Sequence, residues 1–104
     1  MKKDGIIQLN SPFAKELGFT SDKFWNSWLW KTGDRITISM IWIRPRLQGK
    51  GYFTQLLKAI WDKGYEVAIP TPLGIMNEIV RKNGFQKTMV FDKNFNDYVE
   101  LWVK

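Results

Sequence analysis

The residues best suited to chemistry in this chain lie in one stretch, Ile43 to Trp61, reading IRPRLQGKGYFTQLLKAIW. Gly49 and Gly51 flank Lys50 just ahead of an amphipathic pattern, and Arg44 and Arg46 stand before them. A loop entering a helix exposes backbone N–H groups that have no partner inside the helix. The aligned peptide dipoles add partial positive charge at the same end. Phosphate binds at such places, and glycine admits it closely because no Cβ intervenes. The stretch therefore reads as an anion site, with Lys50 adding charge and Thr54 a hydroxyl in the first turn. Its spacing is neither G-x-x-x-x-G-K-[ST] nor G-x-G-x-x-G, so neither a P-loop hydrolase nor a Rossmann site is indicated. A tight turn between a strand and a helix accounts for the same glycines equally well.

Elsewhere the composition removes chemistries. The 104 residues contain no Cys and no His, which excludes a disulfide scaffold, Cys/His zinc sites, Cys nucleophiles and a Ser-His-Asp triad. The net charge of +6 favours an anionic partner, nucleic acid or a phosphate-rich small molecule, without choosing between them. No run of basic residues forms a tail. No stretch reaches the roughly 18 apolar residues that span a membrane. The opening MKKDGIIQLNS lacks the apolar region of a secretory signal, so a cytoplasmic protein is expected. Six Trp and seven Phe in a chain of this length point to aromatic burial in a small core.

The elements that must position the loop follow from periodicity. GIIQL is a short strand, and NSPFAKELGF a short helix capped by Asn10 or Ser11 and ended by Gly18. KFWNSWLWKTGDRITISMIWIRP reads as an antiparallel hairpin turning at KTGD. In its second half Ile36, Ile38, Met40 and Trp42 share one face; Thr37, Ser39, Ile41 and Ile43 share the other. The end nearest the loop is expected to be buried on both sides. From Tyr52 to Lys63, Phe53, Leu56, Leu57 and Ile60 make a helical core stripe. YEVAI is a strand that returns parallel through a right-handed crossover. PTPLGIMNEIVRKNGF is a helix capped by Thr71, with Ile75, Met76, Ile79 and Val80 buried and a Schellman ending at Gly84 and Phe85. Strands near Lys87–Phe91 and Tyr98–Val103 close the chain. The fold class is α+β: a mixed, mostly antiparallel sheet with a central parallel strand-helix-strand crossover.

The order of these residues resembles a known pattern. Ile43 and Pro45 at a strand end, then Gln48 and Gly51 opening a helix, then RKNGF from Arg81 to Phe85 ending the next one, resemble the acetyl-CoA-binding region of the GNAT superfamily of N-acetyltransferases. The likeness covers roughly Thr37 to Lys104 and implies one acyltransferase domain over residues 1–104. It implies that the backbone of Ile41, Trp42 and Ile43 pairs with the pantetheine arm of coenzyme A at a bulge. Gln48 belongs to the same motif, and the N–H groups of Gly49, Lys50, Gly51, Tyr52, Phe53 and Thr54 would cradle the pyrophosphate. The implied activity is direct transfer of an acetyl group from acetyl-CoA to an amine in a ternary complex.

Three positions depart from the pattern: Phe53 stands where Gly or Ala is expected, Val80 where many relatives carry an acidic Tyr, and Leu73 where Asn is frequent. As replacements, Glu66 is the nearest base by position, with Glu78 and Glu100 behind it. Tyr98 or Tyr65 would be the acid. An exposed carboxylate and a packing tyrosine are the ordinary roles of such residues. A GNAT-like domain that binds coenzyme A or a protein without catalysis is the first rival reading, and a small basic nucleic-acid binder the second. The latter lacks any RNP, KH or helix-turn-helix signature. The alternating run FWNSWLW must turn some of Trp25, Trp28 and Trp30 outward unless the N-terminal helix or the partner in a homodimer covers them.

Overall fold

A computed structural model describes residues 4–72 and 74–104. The elements in chain order are β1 (Gly5–Gln8), α1 (Pro12–Leu17), β2 (Trp28–Thr32), β3 (Arg35–Met40), α2 (Tyr52–Asp62), β4 (Glu66–Pro70), α3 (Ile75–Lys82), β5 (Gln86–Asp92) and β6 (Asp97–Val103). The strands form one mixed sheet in the order β1-β2-β3-β4-β6-β5. The Glu66 N–H donates to the Asp34 carbonyl at 2.7 Å, so β3 and β4 begin side by side and run parallel. The other pairings given above by neighbour order, β1 with β2, β2 with β3, β4 with β6 and β5 with β6, are antiparallel. This is the α+β arrangement expected from the sequence. The chain divides into two compact units, up to Val67 and from Ala68.

In the first unit one apolar face of β1–β3 meets both helices. Ile7, Leu29, Ile36 and Ile38 are buried together with Phe13, Ala14 and Leu17 of α1 and Phe53, Leu56, Leu57 and Ile60 of α2. Ser11 caps α1, its Oγ accepting from the Ala14 N–H. Both helices end in a six-to-one backbone bond closed by glycine: Phe19 N–H to Ala14 O, and Tyr65 N–H to Ile60 O. Lys31 is also buried on this side, with its ammonium 3.2 Å from the Asp4 carboxylate and over the Tyr65 ring. Hydrogen bonds from the Gly33 N–H and from Lys31 hold the Asp4 carboxyl below its usual pKa.

The hairpin departs from its sequence pattern at one residue. Leu29 pairs with Ile38 but Trp28 pairs with Met40, so Ser39 is an extra residue, a β-bulge. A one-residue slip moves every following side chain to the opposite face. Met40 and Trp42 therefore join the face of Thr37, and Ile41 and Ile43 join that of Ile36 and Ile38. This corrects both expectations for the strand end: Trp42 is 48% exposed, and the segment is not buried on both sides. Strand pairing stops at Met40, and residues 23–27 form no strand, only an isolated bridge between Phe24 and Ile43.

In the second unit, β4 is prolonged by the Thr71 N–H donating to the Glu100 carbonyl, so Thr71 does not cap α3. The helix starts later, at Ile75. Of its expected stripe Val80 is fully buried, Met76 and Ile79 are half-buried, and Ile75 is 71% exposed. The Schellman ending holds, with the Phe85 N–H on Val80 O and the Gly84 N–H on Arg81 O. β5 and β6 pair from Gln86↔Val103 to Asp92↔Asp97.

Candidate functional site

The loop between β3 and α2 lies wholly in the first unit and is built from backbone. After a 3-10 turn at Pro45–Leu47, Gly49 and Gly51 take φ values of 76° and 84°, in the left-handed region that a Cβ disfavours. Gly51 is the N-cap of α2 and offers no side-chain cap; the first helical bond is the Gln55 N–H to the Gly51 carbonyl at 3.0 Å. Among the described residues no hydrogen bond is made by the N–H groups of Gly49, Lys50, Gly51, Tyr52, Phe53 or Thr54. Six successive donors at a helix mouth are what an anion needs.

Side chains frame these donors. Gln48 Nε2 donates to the Ile43 carbonyl at 3.1 Å and ties the loop back to the strand end. Phe53 is 5% exposed, which answers the first departure: its ring is spent on the core while its N–H stays at the helix mouth. Tyr52 is half-buried under the Lys23 ammonium, 5.6 Å from its ring centroid. Thr54 is half-buried. Lys50 and Arg46 are exposed and join none of the ion pairs among the described residues. Arg44 is structural: its Nε donates to the Ser21 carbonyl at 2.7 Å. A shallow depression lined by Ser21, Asp22, Arg44, Pro45 and Arg46 adjoins it. There a hydrogen bond from the Thr20 hydroxyl holds the Asp22 carboxyl below its usual pKa, with Lys23 and Arg44 adding in the same sense.

The strand end preceding the loop presents one edge. Trp42 O accepts from the Trp25 N–H at 3.0 Å, and the Arg44 N–H donates to the Lys23 carbonyl at 2.9 Å. In extended chain successive residues direct their backbone groups to opposite sides. Ile41 and Ile43 therefore turn theirs away from the segment 23–27. Neither N–H makes a hydrogen bond among the described residues. Trp42 is not available in this way, because its N–H is held by Ser27 Oγ at 2.8 Å. Ser27 was not legible from sequence. It is buried within an aromatic run, and its Oγ also donates to the Trp25 carbonyl.

The candidate acid–base residues are held by neighbours or exposed where they stand. Glu66, at the start of β4, is held by Arg35, Nε to Oε1 at 2.6 Å. Tyr98 lies on β6, exposed, edge-on to Phe91 at 5.5 Å. Tyr65 packs against Phe13. Glu100 accepts from Trp102 Nε1, and Glu78 is exposed on α3. Val80 is fully buried, and Leu73 lies outside the described residues. No metal-binding cluster of carboxylates exists among the described residues, and none of their helices is long and apolar enough to cross a membrane.

No protein-family model and no curated protein matches the chain by sequence. Its fold does match solved structures. One is a protein of Lactobacillus plantarum provisionally designated an N-acetyltransferase, with a TM-score of 0.52 and 16% identity over 99% of this chain and 98% of that one. Another is a protein of Agrobacterium tumefaciens provisionally designated an acetyltransferase, with a TM-score of 0.52 and 12% identity over 98% of this chain and 74% of that one.

Proposed function

We propose, from the GNAT-type acetyltransferase fold as premise, that this chain is an acetyl-CoA-dependent N-acetyltransferase in which residues 1–104 act as one domain. The observation that carries the reading is the run of six N–H donors from Gly49 to Thr54 at the mouth of α2, on the fold in which a diphosphate-bearing acyl donor belongs. Bound acetyl-CoA supplies a thioester, whose C–S bond breaks as the amine forms the C–N bond, the amine proton ending on the departing sulfur. The chain's own part is positional. The loop amides hold the diphosphate, and the exposed Lys50 and Arg46 add long-range attraction that weakens with salt. The Ile41 and Ile43 N–H groups, past the bulge and without a partner among the described residues, would bond carbonyls of the pantetheine arm and polarise the acyl carbonyl.

Thermal melting tests this directly. Coenzyme A at about 100 times its Kd should raise stability by about 2.7 kcal/mol, and an oligonucleotide should not. Stabilisation by the oligonucleotide alone would replace this reading with a nucleic-acid one.

Because Arg35 holds Glu66, general-base work does not fall to Glu66 in this reading. Glu66→Gln should therefore leave kcat within a few-fold and change stability by less than about 1 kcal/mol, as for a half-exposed ion pair. A loss of 100-fold or more in kcat, with coenzyme A still bound, would restore Glu66 as the base. A second reading has its own observation: the site of the family's acid is a fully buried Val80. Coenzyme A bound without thiol release across a panel of amines would select that non-catalytic binder.

A further inference from the structure

The first unit has a second feature that the cofactor site does not use. The outward face of β1–β3 carries Ile6 (51% exposed), Trp28 (37%), Trp30 (50%) and Trp42 (48%), and Trp25 (43%) stands beside them on the adjoining segment. The Trp25 and Trp42 rings lie 5.9 Å apart at 42°, and Trp42 Nε1 donates to Met40 Sδ. This is a continuous aromatic wall, and the bulge at Ser39 is what brings Trp42 onto it.

Its place matters. The side chain of Trp42 stands between Ile41 and Ile43, whose N–H groups face the proposed thioester. On the inward face the same strand is closed by the packed core of α1 and α2. A nucleophile attacks a carbonyl from above or below its plane, so the open, tryptophan-lined side is the approach left to it.

The charges on that wall narrow the acceptor. Arg35 is held by Glu66 at the start of β4, and no carboxylate stands on β1–β3. A polyamine finds no counter-charge there, and the net charge of +6 repels it. With no His in the chain, β1–β3 also carry no carboxylate or imidazole to deprotonate an alkylammonium lying on this wall. An aromatic amine has neither difficulty: its nitrogen is already neutral at pH 7, and its ring stacks on indole.

Resting on the acetyltransferase reading above, we infer that the acceptor is an aromatic amine, stacked on Trp25 and Trp42. The test uses 2-naphthylamine and spermidine as probes with the whole chain, alone and saturated with coenzyme A. Binding is followed by ligand-detected NMR, and coenzyme A binding is measured separately by calorimetry. Naphthylamine should bind and spermidine should not. Trp25→Ala and Trp42→Ala should each weaken naphthylamine by about tenfold, the stacking of one ring, and Trp42→Phe should recover most of it. Coenzyme A affinity should stay within twofold throughout.

Equal or tighter spermidine binding overturns the inference, as does naphthylamine affinity indifferent to both alanine variants. So does a concentration-dependent dimer that shields Trp42 from acrylamide quenching. Coenzyme A bound and naphthylamine not bound sinks this inference alone. The reverse pattern sinks the acyltransfer reading and leaves the aromatic-amine wall standing.

Discussion

Gly51→Trp leaves a folded protein that no longer binds coenzyme A. Gly51 sits at φ 84°, so any other residue there costs about 1–2 kcal/mol. A Cβ built on it meets nothing within 4 Å, so an indole enters open space and does not disrupt the core. That space adjoins the six free amides, and a diphosphate cannot share it with an indole. The Kd for coenzyme A should rise by more than about 100-fold, equivalent to about 2.7 kcal/mol. Gly51→Ala is the control: it carries the same backbone strain with little bulk, and should lose the stability while keeping most of the binding. Calorimetry with both variants, beside their circular dichroism spectra, makes the comparison. Unchanged affinity in the tryptophan variant would show that the glycines serve only the turn.

Phe53→Ala should do the converse. The ring is buried in the core at the first turn of α2, alongside Leu56 and Leu57. Truncating it removes apolar burial and leaves a cavity, at a cost of about 3–5 kcal/mol. That is a large part of the 5–15 kcal/mol typical of a whole domain. The N–H of residue 53 survives the change. In urea unfolding the midpoint should fall sharply, while coenzyme A affinity, measured cold where the variant is folded, stays within a few-fold. A loss below about 1 kcal/mol would mean that the ring does not anchor the loop. Together the two variants separate the proposed parts of Gly51 and Phe53: one to leave room for a diphosphate, the other to fix the helix that would receive it.

The sequence showed α2 almost to the residue, because Phe53, Leu56, Leu57 and Ile60 keep a strict helical spacing and Gly64 stops it. The two-glycine loop was legible for the same local reason. What escaped lay in long-range pairing. Nothing in RITISMIWI marks Ser39 as unpaired, since the bulge arises from where β2 places Trp28 and Leu29. Ser27 looked like a polar interruption, yet it holds Trp42, a residue 15 positions away. Thr71 and Pro72 read as a helix start because both suit one; the β4–β6 ladder claims Thr71 first. The ion pair of Glu66 was equally out of view, because Arg35 stands at the start of a different strand.

The unpaired serine in β3 makes one deletion unlike others on a strand. Losing a residue from a regular ladder reverses every side chain beyond it. Leu29 already faces Ile38 and Trp28 already faces Met40, so losing codon 39 would join these pairs into a regular ladder with Met40 to Ile43 on their present faces. What would go is the bend that the extra residue puts in the strand, and with it the angle at which the chain leaves β2 for the two-glycine loop.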